Sequence, residues 1–483
     1  MRYNKNDLVT ITIEDIGHDG AGIGKIEGFI IFTKDAVIGD IVRARIMKVK
    51  SSFAYAKLEE VVTPSSFRVI PLCSFHRQCG GCQLQTLSYE KQLEYKQNKI
   101  RNNLIRIGGF ASDLIDNVMQ PIVGMEEPWF YRNKAQYPVG YDKLGKPITG
   151  FYAGRTHDII ANTDCLLGDK RNKEILEIVL AYMKANQITA YDEKTGTGLF
   201  RHILIRNGFY SGEVMVSFIV NSKHKIELKK QHELVEALSK IPGMTSICIN
   251  LNPERTNVIM GNEVHVLWGQ GFINDTLHVN NERKLNFQIS PKSFYQVNPR
   301  QTEKLYNLVL EYADLKGFET VWDLYSGIGT ISLFMAAVAG KVYGVEVIKE
   351  AVDDARMNAH NNGFDNTEFY SGNVEDILTV KCDKADVIIV DPPRKGCEAR
   401  CLEAMIKAKP DRIIYVSCDS ATLARDLQFL CNNGYELKRV QAVDQFPQTV
   451  HVETICVIAK SNVSQASRDD EAIHPAKQKG LEE

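Results

Sequence analysis

Between residues 319 and 346 the chain alternates strand and helix patterns around a glycine-containing turn. An apolar strand pattern over 321–325 leads through Ser326-Gly327-Ile328-Gly329 into a helix pattern over 331–339. A second strand pattern, 341–345, then ends at Glu346. Repeats of this kind are typical of doubly wound α/β sheets. We therefore predict a Rossmann-like domain in the C-terminal part of the chain.

The turn and the acid that follows it predict a nucleotide-type pocket. A glycine turn lets the backbone approach a ligand, and an acid at the end of the next strand can hold ribose hydroxyls. The dinucleotide fingerprint needs a third glycine where this chain has Ser332, so a pyrophosphate ligand is disfavoured. S-adenosylmethionine carries no phosphate and suits the pattern from Asp323 to Glu346 better.

Two further strand patterns end in reactive side chains. The run 387–390 is followed by Asp391-Pro392-Pro393-Arg394, and the run 412–417 by Cys418. Open α/β sheets place their active sites at the carboxyl ends of the strands, so Asp391 and Cys418 are expected to face one cleft. Amino-group methyltransferases commonly have an aromatic residue in the place of Arg394, which argues against N-methylation.

A cysteine thiolate beside a methyl donor has a specific use in pyrimidine chemistry. The C5 carbon of uracil is too weak a nucleophile to take a methyl group, but thiolate addition to C6 makes an enolate that is nucleophilic at C5. A base must then remove the C5 proton so that the thiolate can leave. The motif His451-Val452-Glu453-Thr454 offers Glu453 as the preferred base and His451 as its alternative.

The N-terminal residues predict a small β-barrel followed by a basic stretch. Short alternating strand patterns over 8–13, 29–32, 41–46 and 53–58 are separated by turn signals, as in small barrels. From 41 to 110, twelve Lys/Arg accompany four Asp/Glu, whereas the whole chain has a net charge of −2. This local excess, with aromatic residues in it, favours nucleic-acid binding. A barrel that only supports its neighbours is the alternative.

Eleven cysteines, without an apolar signal segment at the N-terminus, argue against a disulfide framework. Three of them, Cys73, Cys79 and Cys82, are close together, and Cys165 follows much later. Four thiols can hold an iron–sulfur cluster or zinc. Zinc ribbons usually pair two close couples of cysteines, so the solitary Cys165 favours a cluster, with zinc or unrelated thiols as alternatives.

Four motifs together resemble the RNA uracil-5-methyltransferase family, and the resemblance covers nearly the whole chain. They lie at 294–298, 391–396, 417–426 and 451–454. The resemblance implies that Cys418 is the nucleophile and Glu453 the base that removes the C5 proton. It also implies an S-adenosylmethionine site formed by Gln296, Tyr325, Glu346 and Asp391, with Asn373 near the adenine.

The N-terminal part resembles a TRAM domain, an RNA-binding barrel. By the same resemblance, four cysteines correspond to the ligands of the [4Fe-4S] cluster of the ribosomal RNA branch: Cys73, Cys79, Cys82 and Cys165. The tRNA branch of the family generally lacks both features. The expected substrate is therefore 23S ribosomal RNA, in which one or two uridines would be methylated.

The expected architecture is an α/β chain of three domains and a tail. An OB-like TRAM barrel is predicted over 1–62, a central α+β RNA-binding domain with the iron–sulfur site over 63–290, and the methyltransferase domain over 291–460. The polar residues 461–483 are predicted to be disordered. No apolar run is long enough to span a membrane, so a cytoplasmic protein is expected, and we expect a monomer.

Three alternative functions compete with this interpretation. A tRNA uridine-5-methyltransferase would share the chemistry and differ in its substrate. A non-catalytic, RNA-binding iron–sulfur protein would bind RNA and transfer no methyl group. A cytosine-5 enzyme is disfavoured because such enzymes commonly carry a second cysteine where this chain has Arg394.

Overall fold

Five strands near the N-terminus close into a barrel. The computed structural model describes residues 3–461, so the predicted disordered tail lies, apart from Ser461, outside the described residues. Alternate side chains such as Ile11, Ile31 and Ile46 fill the barrel interior, because successive residues of a strand point to opposite faces. The predicted barrel is confirmed; its strands, in spatial order β1-β2-β3-β5-β4, are β1 (Leu8–Ile16), β2 (Gly22–Ile26), β3 (Phe29–Lys34), β4 (Ile41–Val49) and β5 (Phe53–Thr63).

A loop that carries Cys73, Cys79 and Cys82 follows the barrel and leads into two helices and one strand: α1 (Tyr89–Arg106), α2 (Ser112–Val118) and β6 (Met119–Val123). The next part of the chain forms a seven-stranded mixed sheet in the order β13-β12-β11-β10-β7-β8-β9. Its elements are β7 (Lys134–Tyr141), β8 (Pro147–Tyr152), β9 (Ile159–Ala161), α3 (Arg171–Asn186), β10 (Phe200–Asn207), β11 (Val214–Val220), α4 (Gln231–Ser239), β12 (Met244–Leu251) and β13 (Glu263–Gly269).

The C-terminal part forms an eight-stranded sheet with helices on both faces, in the order β18-β17-β16-β19-β20-β22-β21-β6. The predicted Rossmann-like fold is confirmed. Two strands that precede it, β14 (Ile273–Val279) and β15 (Arg283–Ile289), pair with each other in a separate two-stranded sheet. The elements that follow are α5 (Pro299–Ala313), β16 (Thr320–Leu324), α6 (Thr330–Ala336), β17 (Lys341–Glu346), α7 (Lys349–Asn361), β18 (Thr367–Ser371), α8 (Val374–Lys381), β19 (Val387–Val390), α9 (Ala399–Ala408), β20 (Arg412–Ser417), α10 (Ser420–Asn432), β21 (Tyr435–Val443) and β22 (Glu453–Lys460).

The strand order of this sheet reverses between β16 and β19. Strands β17 and β18 lie on one side of that point, and β19 and β20 on the other. All four residues of β19 are buried, as expected for a strand that helices cover on both faces. At such a switch point the loops after the two central strands diverge and leave a crevice for a ligand. The fold therefore places a ligand crevice beside Tyr325 and Asp391.

The chain between 63 and 290 contributes to more than one layer of the structure. Strand β6 pairs in parallel with β21 at the edge of the C-terminal sheet. Helix α1 buries Ile100 and Leu104 in the same apolar cluster as Leu423 and Leu427 of α10. An amphipathic pattern shows that a helix has an apolar face, but the pattern does not specify the partner that covers it. Within residues 3–461 no helix is long and apolar enough to cross a membrane.

Candidate active site

A cavity of about 720 Å³ opens at the carboxyl ends of β16, β17, β19 and β20. Strand β22 runs antiparallel to β20, so its first residue, Glu453, lies at the same edge of the sheet. The cavity brings together every residue predicted for the donor site and for catalysis: Gln296, Tyr325, Glu346, Asn373, Asp391, Cys418 and Glu453.

The side of the cavity predicted to hold the methyl donor is built on the glycine turn after β16. Gly327 and Gly329 have φ of +55° and +81°, a left-handed conformation that glycine adopts without strain. The backbone N–H groups of Gly327 and Ile348 donate hydrogen bonds to the two carboxylate oxygens of Glu346, at 3.2 and 2.9 Å. The Glu346 carboxylate is thereby fixed where the nucleotide-type pocket was predicted.

Asp323, at the end of β16, is a buried acid beneath the same turn. The Ser332 hydroxyl donates a hydrogen bond to its Oδ2, while its Oδ1 has no partner within the described part of the chain. Burial raises the pKa of Asp323 to about 7. Asn373 lies at the exposed rim of the cavity, where its side-chain amide donates to Asp376 at 3.1 Å.

At the other end of the cavity a thiol lies near two carboxyl groups. Cys418 is half-buried after β20, and Glu453 is only 3% exposed. Burial, together with the charges of Glu453 and Asp391, raises the pKa of Cys418 to about 12. Burial raises the pKa of Asp391 to about 7. The Cys418 thiol is therefore protonated near neutral pH while the cavity is open to water.

Glu453 holds an acceptor atom that the rest of the protein leaves free. Its Oε2 is buried and has no hydrogen-bond partner among residues 3–461. Burial and the charge of Asp391 raise the pKa of Glu453 well above its ordinary value, and Arg394 opposes that shift. A carboxylate with a raised pKa is a stronger base than an ordinary glutamate. His451 also lines the cavity, and burial lowers its pKa to about 4, so its imidazole is neutral.

The segment from Asp444 to His451, which carries Phe446 and His451 into the cavity, is held by helix α1. The Lys96 ammonium lies 2.5 Å from Asp444 Oδ1, and neither side chain is exposed. Lys96 also donates to the Phe446 carbonyl at 3.0 Å, and the Tyr89 hydroxyl donates to Asp444 at 2.9 Å. The sequence analysis missed these residues, because Lys96 looks like one more cation in a basic stretch.

The buried Lys96–Asp444 pair gives a first prediction. Replacing Lys96 with methionine leaves the Asp444 carboxylate buried without a counter-charge, a change that typically costs about 3–5 kcal/mol. We expect the free energy of unfolding in urea to fall by roughly that amount, and the double variant Lys96→Met/Asp444→Leu to recover much of it.

The matched control is Lys240→Met, whose ammonium pairs with Glu236 while both side chains are about 70% exposed. Exposed ion pairs contribute about 1 kcal/mol or less. Equal stability losses in Lys96→Met and Lys240→Met would contradict the role assigned to the buried pair.

The four predicted metal ligands line a second cavity, of about 400 Å³, between the cysteine loop and the central sheet: Cys73, Cys79, Cys82 and Cys165. All four are free thiols. The Gly81 N–H donates to the Cys79 sulfur at 3.4 Å. In the part of the chain that the structure describes, no three His, Cys, Asp or Glu side chains converge on one point as ligands of a metal ion. The structure thus gathers the thiols around one cavity without forming a single-ion site.

Comparison with known proteins agrees with this geometry. Residues 210–461 match the family described as tRNA (Uracil-5-)-methyltransferase, and residues 4–58 match the TRAM domain. The chain is 45% identical to an uncharacterized RNA methyltransferase of Halalkalibacterium halodurans, over 95% of this chain and 98% of that protein. It is 46% identical to one from Clostridium tetani, over 94% and 96% of the two chains.

A solved structure resembles most of the chain. The tRNA (uracil-54, C5)-methyltransferase of Pyrococcus abyssi, in complex with S-adenosyl-L-homocysteine, superposes with a TM-score of 0.73 at 26% identity. The match covers 93% of this chain and 100% of the Pyrococcus chain. With its TRAM barrel and the donor cavity described above, the chain therefore belongs to the S-adenosylmethionine-dependent RNA uracil-5-methyltransferase family.

Proposed function

We propose that the protein transfers a methyl group from S-adenosylmethionine to C5 of one or two uridines in 23S ribosomal RNA. The observation that carries the proposal is the meeting of a thiol, a buried carboxyl group with a free oxygen and an acidic donor site in one cavity. The thiol is that of Cys418 and the carboxyl group that of Glu453.

The proposed donor site suits the charge of the donor. S-adenosylmethionine supplies an electrophilic methyl group and carries positive charge on its sulfonium and amino groups. The carboxyl groups of Asp323, Glu346 and Asp391 all face the cavity. Glu346, fixed by two backbone N–H groups, would hold the ribose hydroxyls, and Asn373 would lie near the adenine. Gln296, Tyr325 and Asp391 would complete the site.

In the proposed first step the Cys418 sulfur bonds to C6 of the uracil. The thiol must lose its proton as it adds, and Asp391, with a pKa near 7, is a nearby acceptor. The electron pair of the C5–C6 double bond moves into an enolate, which makes C5 nucleophilic. C5 would then bond to the methyl carbon of the donor as the bond between that carbon and the donor sulfur breaks, with S-adenosylhomocysteine as the leaving group.

In the proposed last step Glu453 removes the proton that remains on C5. The electron pair of the C5–H bond re-forms the C5–C6 double bond and expels the Cys418 thiolate. The buried Glu453 Oε2, which has no partner within 3–461, is available for that proton. The uracil ring must leave its stack to reach both groups, as bases do in other base-modifying enzymes. The barrel and the basic stretch would bind the phosphates.

Labelled methyl transfer tests the substrate. Unmodified 23S RNA and unmodified tRNA are incubated separately with the enzyme and S-adenosylmethionine, and nucleoside analysis and site mapping follow. 5-Methyluridine in 23S RNA alone is the expected result. The second candidate is a tRNA uridine, favoured by the likeness to the tRNA (uracil-54, C5)-methyltransferase. Label in tRNA would overturn the substrate, and no label in either RNA would favour a binding protein.

We further propose that the four cysteines hold a [4Fe-4S] cluster that stabilises its loop. The four thiols line one cavity of about 400 Å³, and thiolates can hold an iron–sulfur cluster or zinc. Cys165 is far from the other three cysteines in the sequence, which favours the cluster, because zinc ribbons usually pair two close couples of cysteines. Methyl transfer requires no electron, so a structural role suffices.

Protein purified without oxygen is expected to be coloured, with broad absorption near the blue end of the visible spectrum and bound iron and sulfide. Cys165→Ser should lower the iron content and the absorbance, because it removes one of four ligands. Cys382→Ser is the control, since Cys382 lies outside the cysteine cavity. A colourless protein that contains zinc would contradict the cluster.

A further inference from the structure

Strands β3 and β5 of the barrel turn an aromatic face outward. They pair in parallel, with Phe32 beside Tyr55, while Ile31 and Ala54 point into the barrel interior. The rings of Phe32, Phe53 and Tyr55, which we call the aromatic face, lie within 5.4–5.7 Å of one another. None of the three belongs to the apolar core of the barrel. Large rings placed outside a core are available to a ligand.

A groove of about 510 Å³ runs from the aromatic face towards the active site. Phe32 and Tyr55 line one end, and Val450 and His451 line the other. His451 also lines the catalytic cavity, so the two spaces share a wall. The barrel cannot shift easily relative to this wall, because Ile16 and Val37 share a buried apolar cluster with Leu84 and Val450. The groove is therefore held in a fixed position beside the catalytic cavity.

A buried polar atom in the groove lacks a partner. Gln85 is 6% exposed and lies between the groove and the cysteine cavity, lining both with Cys82. Its Oε1 has no hydrogen-bond partner among residues 3–461. A buried acceptor without a donor is unfavourable, because it has lost its hydrogen bonds to water. An amide oxygen of this kind accepts from an exocyclic amino group of a base. The side chain therefore points to a ligand that carries N–H donors.

The charges around the groove suit an RNA strand with its base inside. Within the groove Arg155 pairs with Asp19 at 2.9 Å, and Lys34 and Asp35 also belong to the lining. The lining therefore carries nearly equal numbers of positive and negative side chains. Lys34 donates to the Arg77 carbonyl at 3.0 Å. Lys34 and Lys57, its partner on the neighbouring strand, are both exposed. A neutral base would enter the groove while the cations contact the flanking phosphates.

We infer that this groove binds a second, unpaired base of the substrate RNA, one with an exocyclic amino group, which stacks on the aromatic face and donates to Gln85. The inference rests on the proposed function in taking RNA as the substrate. With this base in the groove and the target uridine in the catalytic cavity, two unpaired bases would be held at once. Binding two unpaired bases at once favours a single-stranded RNA segment, with its bases splayed apart, over an RNA double helix.

The test measures the affinity of fluorescent oligoadenylate and oligouridylate, by anisotropy, over a range of salt concentrations. The wild type should bind oligoadenylate more tightly. Tyr55→Leu should weaken that binding about tenfold or more, since stacking contributes strongly per base, without changing the salt dependence. Tyr55→Phe should keep it. Gln85→Met should remove the preference for adenylate, and Phe318→Ala, which removes an exposed ring elsewhere, should change nothing.

Methyl transfer to the RNA that accepts label separates this inference from the proposed function. Tyr55→Leu should raise KM and leave kcat nearly unchanged, because the ring contributes to binding and not to chemistry. Equal affinity of the wild type and Tyr55→Leu for oligoadenylate, in an enzyme that still methylates RNA, would contradict base binding in the groove. The proposed function would then still stand. A wild type that methylates no RNA, but whose binding depends on Tyr55, would overturn the function alone.

Discussion

Replacing Cys418 with alanine is expected to abolish methyl transfer, with a loss of roughly 10⁴-fold or more. Without the thiol no bond forms to C6, and C5 stays too weak a nucleophile to take the methyl group. Serine at this position should be nearly as inactive, because a hydroxyl is a poorer nucleophile than a thiolate. The measurement is single-turnover transfer of labelled methyl to the accepted RNA.

The control for Cys418→Ala is Cys382→Ala, which removes a partly exposed thiol at the end of α8, away from the catalytic cavity. This variant should turn over normally. Cys418→Ala should still bind S-adenosylmethionine, which calorimetry would show, because Glu346 and its two backbone donors are untouched. Substantial transfer by a folded Cys418→Ala protein would rule out covalent catalysis by this residue.

Replacing Glu453 with glutamine is expected to trap a covalent protein–RNA adduct. Cys418 would still add to C6 and C5 would still be methylated, but no group would remove the C5 proton, so the thiolate could not be expelled. Turnover should fall by about 10²–10⁴-fold, as is typical when a general base is lost. The adduct should migrate on denaturing gels as a slower band that contains both RNA and labelled methyl.

Two further variants identify the base. Cys418→Ala/Glu453→Gln should form no adduct, since the bond to RNA needs the thiol. His451→Asn should turn over without accumulating an adduct if Glu453 is the base. An adduct in His451→Asn, with none in Glu453→Gln, would transfer the role to His451, which lies two residues before β22.

The Glu453→Gln protein should also be at least as stable as the wild type above neutral pH. The folded-state pKa of Glu453 is raised, so its proton stabilises the folded state most at low pH, and that contribution is lost as the pH rises above the ordinary glutamate pKa of about 4.3. Thermal unfolding at several pH values should show the gain of the variant increasing from acid to alkaline pH. A gain that instead grows towards acid pH would contradict the buried-carboxyl assignment.

Much of the candidate site could be predicted because each of its main residues directly follows or begins a strand. The strand patterns over 321–325, 387–390 and 412–417 place Tyr325, Asp391 and Cys418 at the carboxyl ends of three strands. Once a doubly wound sheet is inferred, its geometry gathers the carboxyl ends of neighbouring strands at one edge. The proximity of these three residues therefore follows from the fold class alone.

Contacts between distant parts of the chain could not be predicted in this way. Lys96 and Asp444 are 348 positions apart, and neither lies in a motif that names the other. Helix α1 shows an apolar face in its sequence, yet nothing in its periodicity says that α10 covers it. Gln85 likewise looks like an ordinary polar residue of a loop. Only the structure shows that its amide oxygen is buried and has no partner among residues 3–461.

The sequence by itself determined the fold class, the barrel, the family and the residues at the strand ends, because periodicity and short motifs are local properties of the chain. Only the tertiary structure decided that Cys418, Glu453 and the donor residues share one cavity, that α1 holds the segment 444–451, and that the groove on the barrel meets that cavity. Burial and the pKa shifts that follow from it depend on which distant residues exclude water from a group, and that exclusion exists only once the layers have packed.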